Sequence, residues 1–387
     1  MIIHKTEKLM RGIRIKIFPD EKQKQEIKKN IDVSRAVYNL ALEIQKSNYD
    51  SGGKFIPYFD MINKFTQLKK LPEYWWMNTV SAGTVQSSLR NLDNAYNLFF
   101  KNASKYPKFK SKKNYHQSVS MRSDRTRAHG EYFKVSGISG RIFANNHIIG
   151  DDEKLYDIVI STDGHDNYFL SFSREIDIEV EDHTSDIIGI DVGIRNMMTT
   201  SDGSYYHFSD TKRLERISAR RKRRVSKYQR KYLDISNHTR TKYDEVPKSK
   251  NYEKALIYST KTAKKIVNKR RNDIHQATRS IINKNPSAIV IEDISVNEII
   301  NNKNWMRKYA PQMMFYEMHK QLRYKAEAKG IEVIVADRDF PSSQICSNCG
   351  FKHKIYGNHT FSCPICGFHE DRDLNAALNL RNYALQK

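Results

Sequence analysis

The chain has 387 residues, enough for two or three domains with cores of their own. Its 67 lysines and arginines outnumber 44 aspartates and glutamates, for a formal net charge of +23. Such an excess repels itself unless a polyanion neutralises it, which favours a nucleic-acid partner over a basic ribosomal or membrane-surface protein. The sequence has no apolar run of about 18 residues and no signal-peptide core at its N-terminus, so we expect no membrane partner.

The first half of the chain predicts a strand, a helical segment and a group of short strands. Polar and apolar residues alternate over 11–18, and Pro19-Asp20 then begins a helical stretch that reaches about residue 105. Over 85–100 apolar residues recur every three or four positions, as in a core-facing helix. Short alternating segments predict antiparallel strands at 132–135, 141–143, 156–161 and 167–173. We hypothesise that they close a small β-barrel with the N-terminal strand.

The second half predicts a mixed α/β sheet with helical cover, because apolar strands alternate with helical segments. The strands are expected at 186–192, 197–200, 205–208, 287–293 and 331–336. The helices are expected over a basic tract at 212–282, broken near Pro247, and over 311–329.

Three acidic residues lie where an apolar setting would normally exclude them. Asp191 and Glu292 each end an apolar strand, and Asp373 begins a helix with apolar residues at core spacing. A lone buried carboxylate is costly, whereas converging carboxylates are tolerated when they share Mg²⁺ or Mn²⁺. The alternative is that each acid is a helix cap or an ion-pair partner. A shared site would hold two ions that activate water and stabilise the leaving 3′ oxygen of a phosphodiester.

All four cysteines lie in two C-x-x-C-G knuckles, separated by residues 350–362. Each glycine permits the tight turn that directs two thiolates at one ion, and four thiolates suit a structural Zn²⁺. His353, His359 and His369 are possible substitute ligands, but the cysteines already complete the shell. The predicted zinc ligands are Cys346, Cys349, Cys363 and Cys366.

Dense cationic runs occur in three places. The longest of them, at 212–232, contains almost no acidic residues to balance its positive charge. A solvated helix face is the alternative to phosphate contact. The residues that we expect to contact nucleic acid are Lys108, Lys110, Lys112, Lys113, Arg220, Arg221, Arg223, Arg224, Lys227, Arg230, Lys269, Arg270 and Arg271.

At these motifs the sequence resembles the TnpB family of OrfB-type insertion-sequence proteins, relatives of compact type V CRISPR effectors. Residues 189–193 with 200–203 resemble the first RuvC motif, 290–294 the second and 371–377 the third. Residues 92–100, 106–110, 268–275 and 340–350 match the family as well. The resemblance implies that Asp191, Glu292 and Asp373 are the catalytic metal ligands.

The resemblance also implies a fold that combines α/β and β parts. It predicts a small β-barrel (wedge) domain at 1–18 and 112–183, with a helical recognition insert at 19–111. An RNase H-like RuvC nuclease domain would follow at 184–342 and 370–387, with a zinc ribbon inserted at 343–369.

The function implied by the resemblance is RNA-guided cleavage of DNA. A guide RNA would pair with double-stranded target DNA beside a short flanking motif and displace one strand. We expect a monomer on its RNA in the prokaryotic cytoplasm or nucleoid. Three alternatives stay open: a CRISPR-associated effector, a guide-directed repressor without cleavage, and a transposase that joins DNA ends. The presence of all three acids weighs against the repressor.

Overall fold

The computed structural model describes residues 7–112, 116–144, 149–151, 153–164, 166–178, 182–230, 249–293, 313–353 and 359–386. The chain divides into two compact units, one comprising Lys8–Asp177 and the other containing Ile178–Lys387. The predicted start of the nuclease domain at 184 lies just after this boundary, and the finer division into four domains stays a prediction. None of the described helices is long and apolar enough to cross a membrane.

The helical part of the first unit packs around one apolar core. The helices are α1 (Glu21–Asp50), α2 (Tyr58–Leu68), a 3-10 helix (Pro72–Thr79) and α3 (Ala82–Phe100). Helix α1 begins where predicted, because the Asp20 carboxylate accepts a hydrogen bond of 2.8 Å from the backbone N of Gln23. Val85 and Leu89 of the predicted apolar stripe are buried against α1 and α2.

Two antiparallel sheets form the rest of this unit. Their strands are β1 (Glu7–Ile17), β2 (Gln117–Ser120), β3 (Arg127–His129), β4 (Tyr132–Lys134), β5 (Ile142–Phe143), β6 (Tyr156–Thr162) and β7 (Tyr168–Ile178). The sheet orders are β1-β7-β6-β2 and β3-β4-β5, so the N-terminal strand does join the later ones. Both sheets bury side chains in one core, and a bridge between Phe18 and Phe143 links them. Full barrel closure stays a prediction.

The second unit contains the predicted α/β sheet. Its strands are β8 (Ile187–Asp191), β9 (Met198–Thr200), β10 (Tyr205–Tyr206), β11 (Ala288–Glu292) and β12 (Glu332–Ala336). Its helices are α4 (Lys212–Arg230), α5 (Lys250–Asn283), α6 (Phe315–Glu327) and α7 (Arg372–Leu385). The strand order is β10-β9-β8-β11-β12, in which β11 is parallel to both β8 and β12.

Helices cover both faces of this sheet, which fixes the direction of each strand residue. Ile188 and Ile190 of β8 enter a large core with residues of α5 and α6. Val290 of β11 packs instead against Leu380 of α7. Since successive strand residues point to opposite faces, the odd-numbered residues of β8 and the even-numbered residues of β11 face α7.

The cysteine knuckles lie between β12 and α7, as predicted. A 3-10 helix (Ser342–Gln344) precedes the first knuckle, and a short antiparallel pair, β13 (Thr360–Ser362) and β14 (His369–Asp371), carries the second. Strand β14 runs directly into α7, because Asp371 ends the strand and caps the helix.

Candidate active site and metal centre

The parallel pairing of β8 with β11 places two of the predicted acids side by side. Gly189 is aligned with Val290, and Ile190 with Ile291. The next positions in that register are Asp191 and Glu292, at the carboxyl ends of neighbouring strands and on the face that α7 covers. Carboxyl ends of parallel strands are the usual place for functional side chains in open α/β sheets.

Helix α7 brings Asp373 to the same edge, and Gly189 makes this approach possible. A Cβ added at Gly189 would lie 2.1 Å from the carbonyl oxygen of Ala377 and 2.5 Å from the backbone N of Arg381. Only a residue without a side chain lets helix and strand backbones come so close. Asp373 is in the first turn of this closely packed helix.

The pKa of Asp191 reports that both other acids lie near it. Burial raises the pKa of Asp191 well above its ordinary value, and the charges of Glu292 and Asp373 raise it further. Burial also raises the pKa of Glu292, although a hydrogen bond from Ser342 opposes this. Two buried carboxylates with raised pKa values, beside a third acid, are unfavourable unless a cation compensates them.

The spacing of the acids differs from that of the cysteines. Among the described side chains, only the four cysteines bring three or more ligand atoms within 4.8 Å of one another. At least one pair of the three acids is therefore farther apart than that. A site for two ions about 4 Å apart does not require every carboxylate to touch the same ion.

A buried polar atom beside Asp191 also fits a hydrated cation. Thr199 is directly opposite Asp191 in the antiparallel β8–β9 pair, so its side chain is on the same face. It is 1% exposed, and its hydroxyl has no hydrogen-bond partner among the described residues. Together with a donor set made of carboxylate oxygens, this orphan hydroxyl is compatible with Mg²⁺ or Mn²⁺ and bound water.

Sequence reasoning missed the groups that hold these acids. The Ser342 hydroxyl donates to Glu292 Oε1, and Asn196 Nδ2 donates to Asp373 Oδ2 over 2.8 Å. Arg195 forms ion pairs with Asp371 and, over 3.6 Å, with Asp373 Oδ2. Each donor is remote in sequence from its acid, so only an aligned set of relatives or a structure could have revealed these pairs.

The four cysteines converge as predicted. The sulfurs of Cys346 and Cys366 are 3.6 Å apart, as are those of Cys349 and Cys363. Four sulfurs about 2.3 Å from a tetrahedral Zn²⁺ would be about 3.8 Å from one another, so the geometry fits a zinc site. In each knuckle the glycine has a left-handed backbone and donates its N–H to the carbonyl of the first cysteine.

Buried asparagines tie this cysteine cluster to α7. Asn375 Nδ2 donates to the carbonyl of Ile345 over 2.7 Å, and its Oδ1 accepts from the backbone N of Ser347 over 3.0 Å. Asn379 Nδ2 also donates to the Ile345 carbonyl, over 2.6 Å. Asn375 and Asn379 are 0% and 3% exposed, so these bonds are shielded from water. These bonds connect the cysteine knuckles to the helix that carries Asp373.

Zinc removal is expected to impair cleavage while the rest of the fold persists. Without the ion the knuckles lose their crosslink, and the asparagine bonds no longer orient the first turns of α7. A zinc-selective chelator with excess Mg²⁺, followed by zinc add-back, should lower and then restore the cleavage rate. Circular dichroism should change little. Full cleavage by protein shown to be zinc-free would refute this link.

The basic residues of α4 that were predicted to contact nucleic acid lie on different faces of the helix. Arg220, Arg223, Arg224 and Lys227 are exposed. The structure adds Arg213 and Arg216, which the sequence analysis left out, to the same stripe at spacings of three and four residues. Arg216, Arg220 and Arg223 line an open cavity of about 530 Å³. The outward stripe is thus suited to a polyanion.

Four other basic residues that were predicted to contact nucleic acid form hydrogen bonds or ion pairs with other parts of the protein. They are Arg221, on the Tyr258 carbonyl at 3.0 Å; Lys269, on the Asp210 carbonyl at 2.8 Å; Arg270, on Glu215 at 2.7 Å; and Arg271, 3.6 Å from Glu317. These contacts join α4, α5 and α6 to each other and to the loop before α4. These internal contacts neither support nor exclude binding to nucleic acid, which stays a prediction for these residues.

The lysines of the N-terminal unit also differ in their surroundings. Lys110 packs against α1. Its backbone N donates to Asn39 Oδ1 over 2.8 Å, and its Nζ lies 4.0 Å from the Tyr38 ring centroid. Lys108 and Lys112 are exposed. Lys113 lies outside the described residues, as does the side chain of Arg230.

Three family descriptions match parts of the chain. "Helix-turn-helix domain" matches residues 10–54, "Probable transposase" of the OrfB IS605 group matches 171–303, and "Cas12f1-like, TNB domain" matches 315–380. The last range contains the four cysteines and Asp373. Over the first range the structure shows strand β1 and the single 30-residue helix α1, so the helix-turn-helix description does not apply literally here.

Relatives extend this likeness over nearly the whole chain. A "Putative RNA-guided DNA endonuclease" of Streptomyces pristinaespiralis is 27% identical over 97% of this chain and 89% of the relative. The "Putative RNA-guided DNA endonuclease InsQ" of Escherichia coli K12 is 24% identical over 96% and 92%. A solved Cas12f1–sgRNA–target DNA complex matches 97% of this chain and 99% of its own with a TM-score of 0.56 and 14% identity, which shows a shared fold.

The chain thus has a Cas12f-like fold of mixed α/β content and a zinc-ribbon-type domain with four clustered cysteines. The family matches, the relatives and the shared fold together support a TnpB-family protein related to the type V CRISPR effectors.

Proposed function

We propose that the protein is an RNA-guided DNA endonuclease that cleaves by metal-dependent phosphodiester hydrolysis. The observation that carries this proposal is the convergence of Asp191, Glu292 and Asp373 from two strands and a helix at one sheet edge. It occurs in a chain whose full-length relatives are named RNA-guided DNA endonucleases. Three adjacent parallel strands with helices on both faces support an RNase H-like (RuvC) assignment of the second unit.

In the proposed site the three acids would hold two Mg²⁺ or Mn²⁺ ions. When bound, these ions would activate the attacking water and stabilise the leaving 3′ oxygen. The protein contributes the geometry. Strand pairing fixes Asp191 beside Glu292, the Ser342 hydroxyl holds one oxygen of Glu292, and the close packing of α7 fixes Asp373. The four cysteines would hold one structural Zn²⁺, which would support α7.

The proposed nucleic-acid partners are a guide RNA and double-stranded target DNA, one strand of which is displaced. The outward stripe of α4 runs from Arg213 to Lys227, about 21 Å at 1.5 Å per residue. Evenly spaced cations on one face bind backbone phosphates without reading sequence, which leaves specificity to base pairing. We propose that the N-terminal unit is the wedge barrel with its recognition insert. We further propose that the protein acts as a monomer on its RNA in the prokaryotic cytoplasm or nucleoid.

Sequencing the RNA that co-purifies with the protein tests the guide directly. We expect one discrete RNA species with a variable end, because a guide has a constant part that the protein holds and a part that pairs with target. Replacing the variable end should redirect cleavage to the matching DNA. Random RNA fragments, or cleavage that ignores the new end, would leave only an unguided nuclease.

A further inference from the structure

The loop between β8 and β9 places one buried polar side chain against a predicted metal ligand. Asn196 is 4% exposed, and its Nδ2 donates to Asp373 Oδ2 over 2.8 Å. Asn196 is not among the predicted ligands, and the hydrogen bond joins residues of the loop and of α7 that are far apart in sequence. A buried amide with this partner restricts the rotation of the carboxylate.

The loop itself is held firmly on both sides of Asn196. Val192 before it and Met197 after it are 7% and 1% exposed, and the backbone N of Met197 donates to the Tyr206 carbonyl over 2.8 Å. At Gly193 an added Cβ would lie 3.2 Å from the carbonyl oxygen of Asn196, so the turn is tight. A tight and buried turn therefore holds the amide of Asn196 in place, which makes this amide suitable for orienting another group.

Asn196 and Arg195 both lie beside Asp373, and one is neutral whereas the other is charged. The amide of Asn196 is neutral, so it orients the carboxylate of Asp373 without cancelling the charge that attracts a cation. The guanidinium of Arg195 forms its closer ion pair with Asp371, the cap of α7, and a longer ion pair of 3.6 Å with Asp373 Oδ2. Among the described residues no hydrogen bond engages Asp373 Oδ1, which leaves that oxygen available to a metal ion.

We propose that Asn196 is a positioning residue for Asp373. Its amide fixes Oδ2, so the carboxylate offers its other oxygen to the metal ion in one orientation, and the metal site is preorganised before DNA binds. This inference rests on the proposed function, since it assigns Asp373 to a metal site. Partners that orient metal ligands typically change metal affinity by about 10- to 100-fold when they are removed.

The test compares Asn196→Ala and Asn196→Leu with the wild-type full chain. Both variants remove the donor, and the leucine roughly keeps the volume, so a shared effect is due to the lost hydrogen bond and not to a cavity. Mn²⁺ binding to the protein without nucleic acid is measured by calorimetry. The Mg²⁺ dependence of cleavage is measured on the guide complex. We expect the metal dissociation constant and the half-saturating Mg²⁺ concentration to rise about 10- to 100-fold, with cleavage largely restored at high Mg²⁺.

Asn97→Ala is the matched control. Asn97 Nδ2 also donates to an aspartate, to Asp93 Oδ2 over 3.0 Å, but this pair lies on α3 of the N-terminal unit. This control should keep the wild-type metal affinity. An unchanged metal affinity in both Asn196 variants would overturn the inference while the nuclease proposal stands. A wild-type protein that neither binds Mn²⁺ at this site nor cleaves with Mg²⁺ would overturn both.

Discussion

Replacing Asp191 with alanine is expected to abolish DNA cleavage while guide RNA and target DNA still bind. Asp191 lies between Glu292 on one neighbouring strand and Thr199 on the other. The charge of Asp373 also contributes to the raised pKa of Asp191. Its removal takes a ligand from the centre of the proposed site. Losing several kcal/mol of transition-state stabilisation lowers the cleavage rate by about 1,000-fold or more. Single-turnover cleavage and filter binding measure the two properties separately.

The same substitution should not destabilise the metal-free protein. Burial and neighbouring charges already disfavour ionised Asp191, so removing the carboxylate relieves repulsion. We expect an unfolding temperature equal to or above that of the wild type when it is measured with no divalent ion. A large loss of stability, or cleavage that continues at the wild-type rate, would contradict the assigned role.

Asp202→Asn is a matched control on the adjoining strand hairpin. Burial raises the pKa of Asp202, but hydrogen bonds from Lys284 and Thr200 outweigh this and lower the pKa to about 2. A carboxylate with a lowered folded-state pKa stabilises the protein above its unfolded pKa, hence at neutral pH. The Asn variant should therefore lose a little stability and keep cleavage, the reverse of Asp191→Ala.

Replacing Gly189 with alanine is expected to cause the second large effect, a loss of both stability and cleavage. The new methyl group would meet the Ala377 carbonyl oxygen at 2.1 Å and the backbone N of Arg381 at 2.5 Å. These are backbone atoms of a helix, so no side-chain rotation can relieve the overlap. Helix α7 must move away from β8, at a cost of about 1–3 kcal/mol or more.

The movement would carry Asp373 away from Asp191. A displacement of about 1 Å in a catalytic group can lower a rate by about 100-fold. Thermal unfolding and the cleavage rate on a matched target test both parts. Gly12→Ala is the control, because nothing lies within 4 Å of a Cβ added there. A Gly189→Ala protein with wild-type stability and cleavage would show that the helix does not pack this closely.

The main elements around the site were predictable because their signals are local. Asp191 and Glu292 end short apolar runs, and such runs form buried strands wherever the rest of the chain lies. The C-x-x-C-G knuckles impose their own turns, so the cysteine cluster was predicted before any tertiary structure was known. The capped start of α1 at Asp20 likewise depends on residues three positions apart.

The role of α4 illustrates what local signals could not provide. Its cations form one dense run in the sequence, yet Arg221 binds α5 whereas Arg220 and Arg223 are exposed. Which face points outward depends on how α4 packs against α5, a contact between segments on either side of residues 231–248. Charge density predicts that a helix is basic, but helix packing decides which of its cations are available.

The sequence by itself determined the strands that end in acids, the cysteine cluster, the basic character and the family resemblance. Each of these follows from residues close together in the chain. Only the tertiary structure decided that Gly189 admits α7, that Asn196 holds Asp373, and that Asn375 joins the cysteine knuckles to the same helix. Those contacts join residues far apart in sequence, and their partners are selected by how the strands, loops and helix pack, which no local pattern specifies.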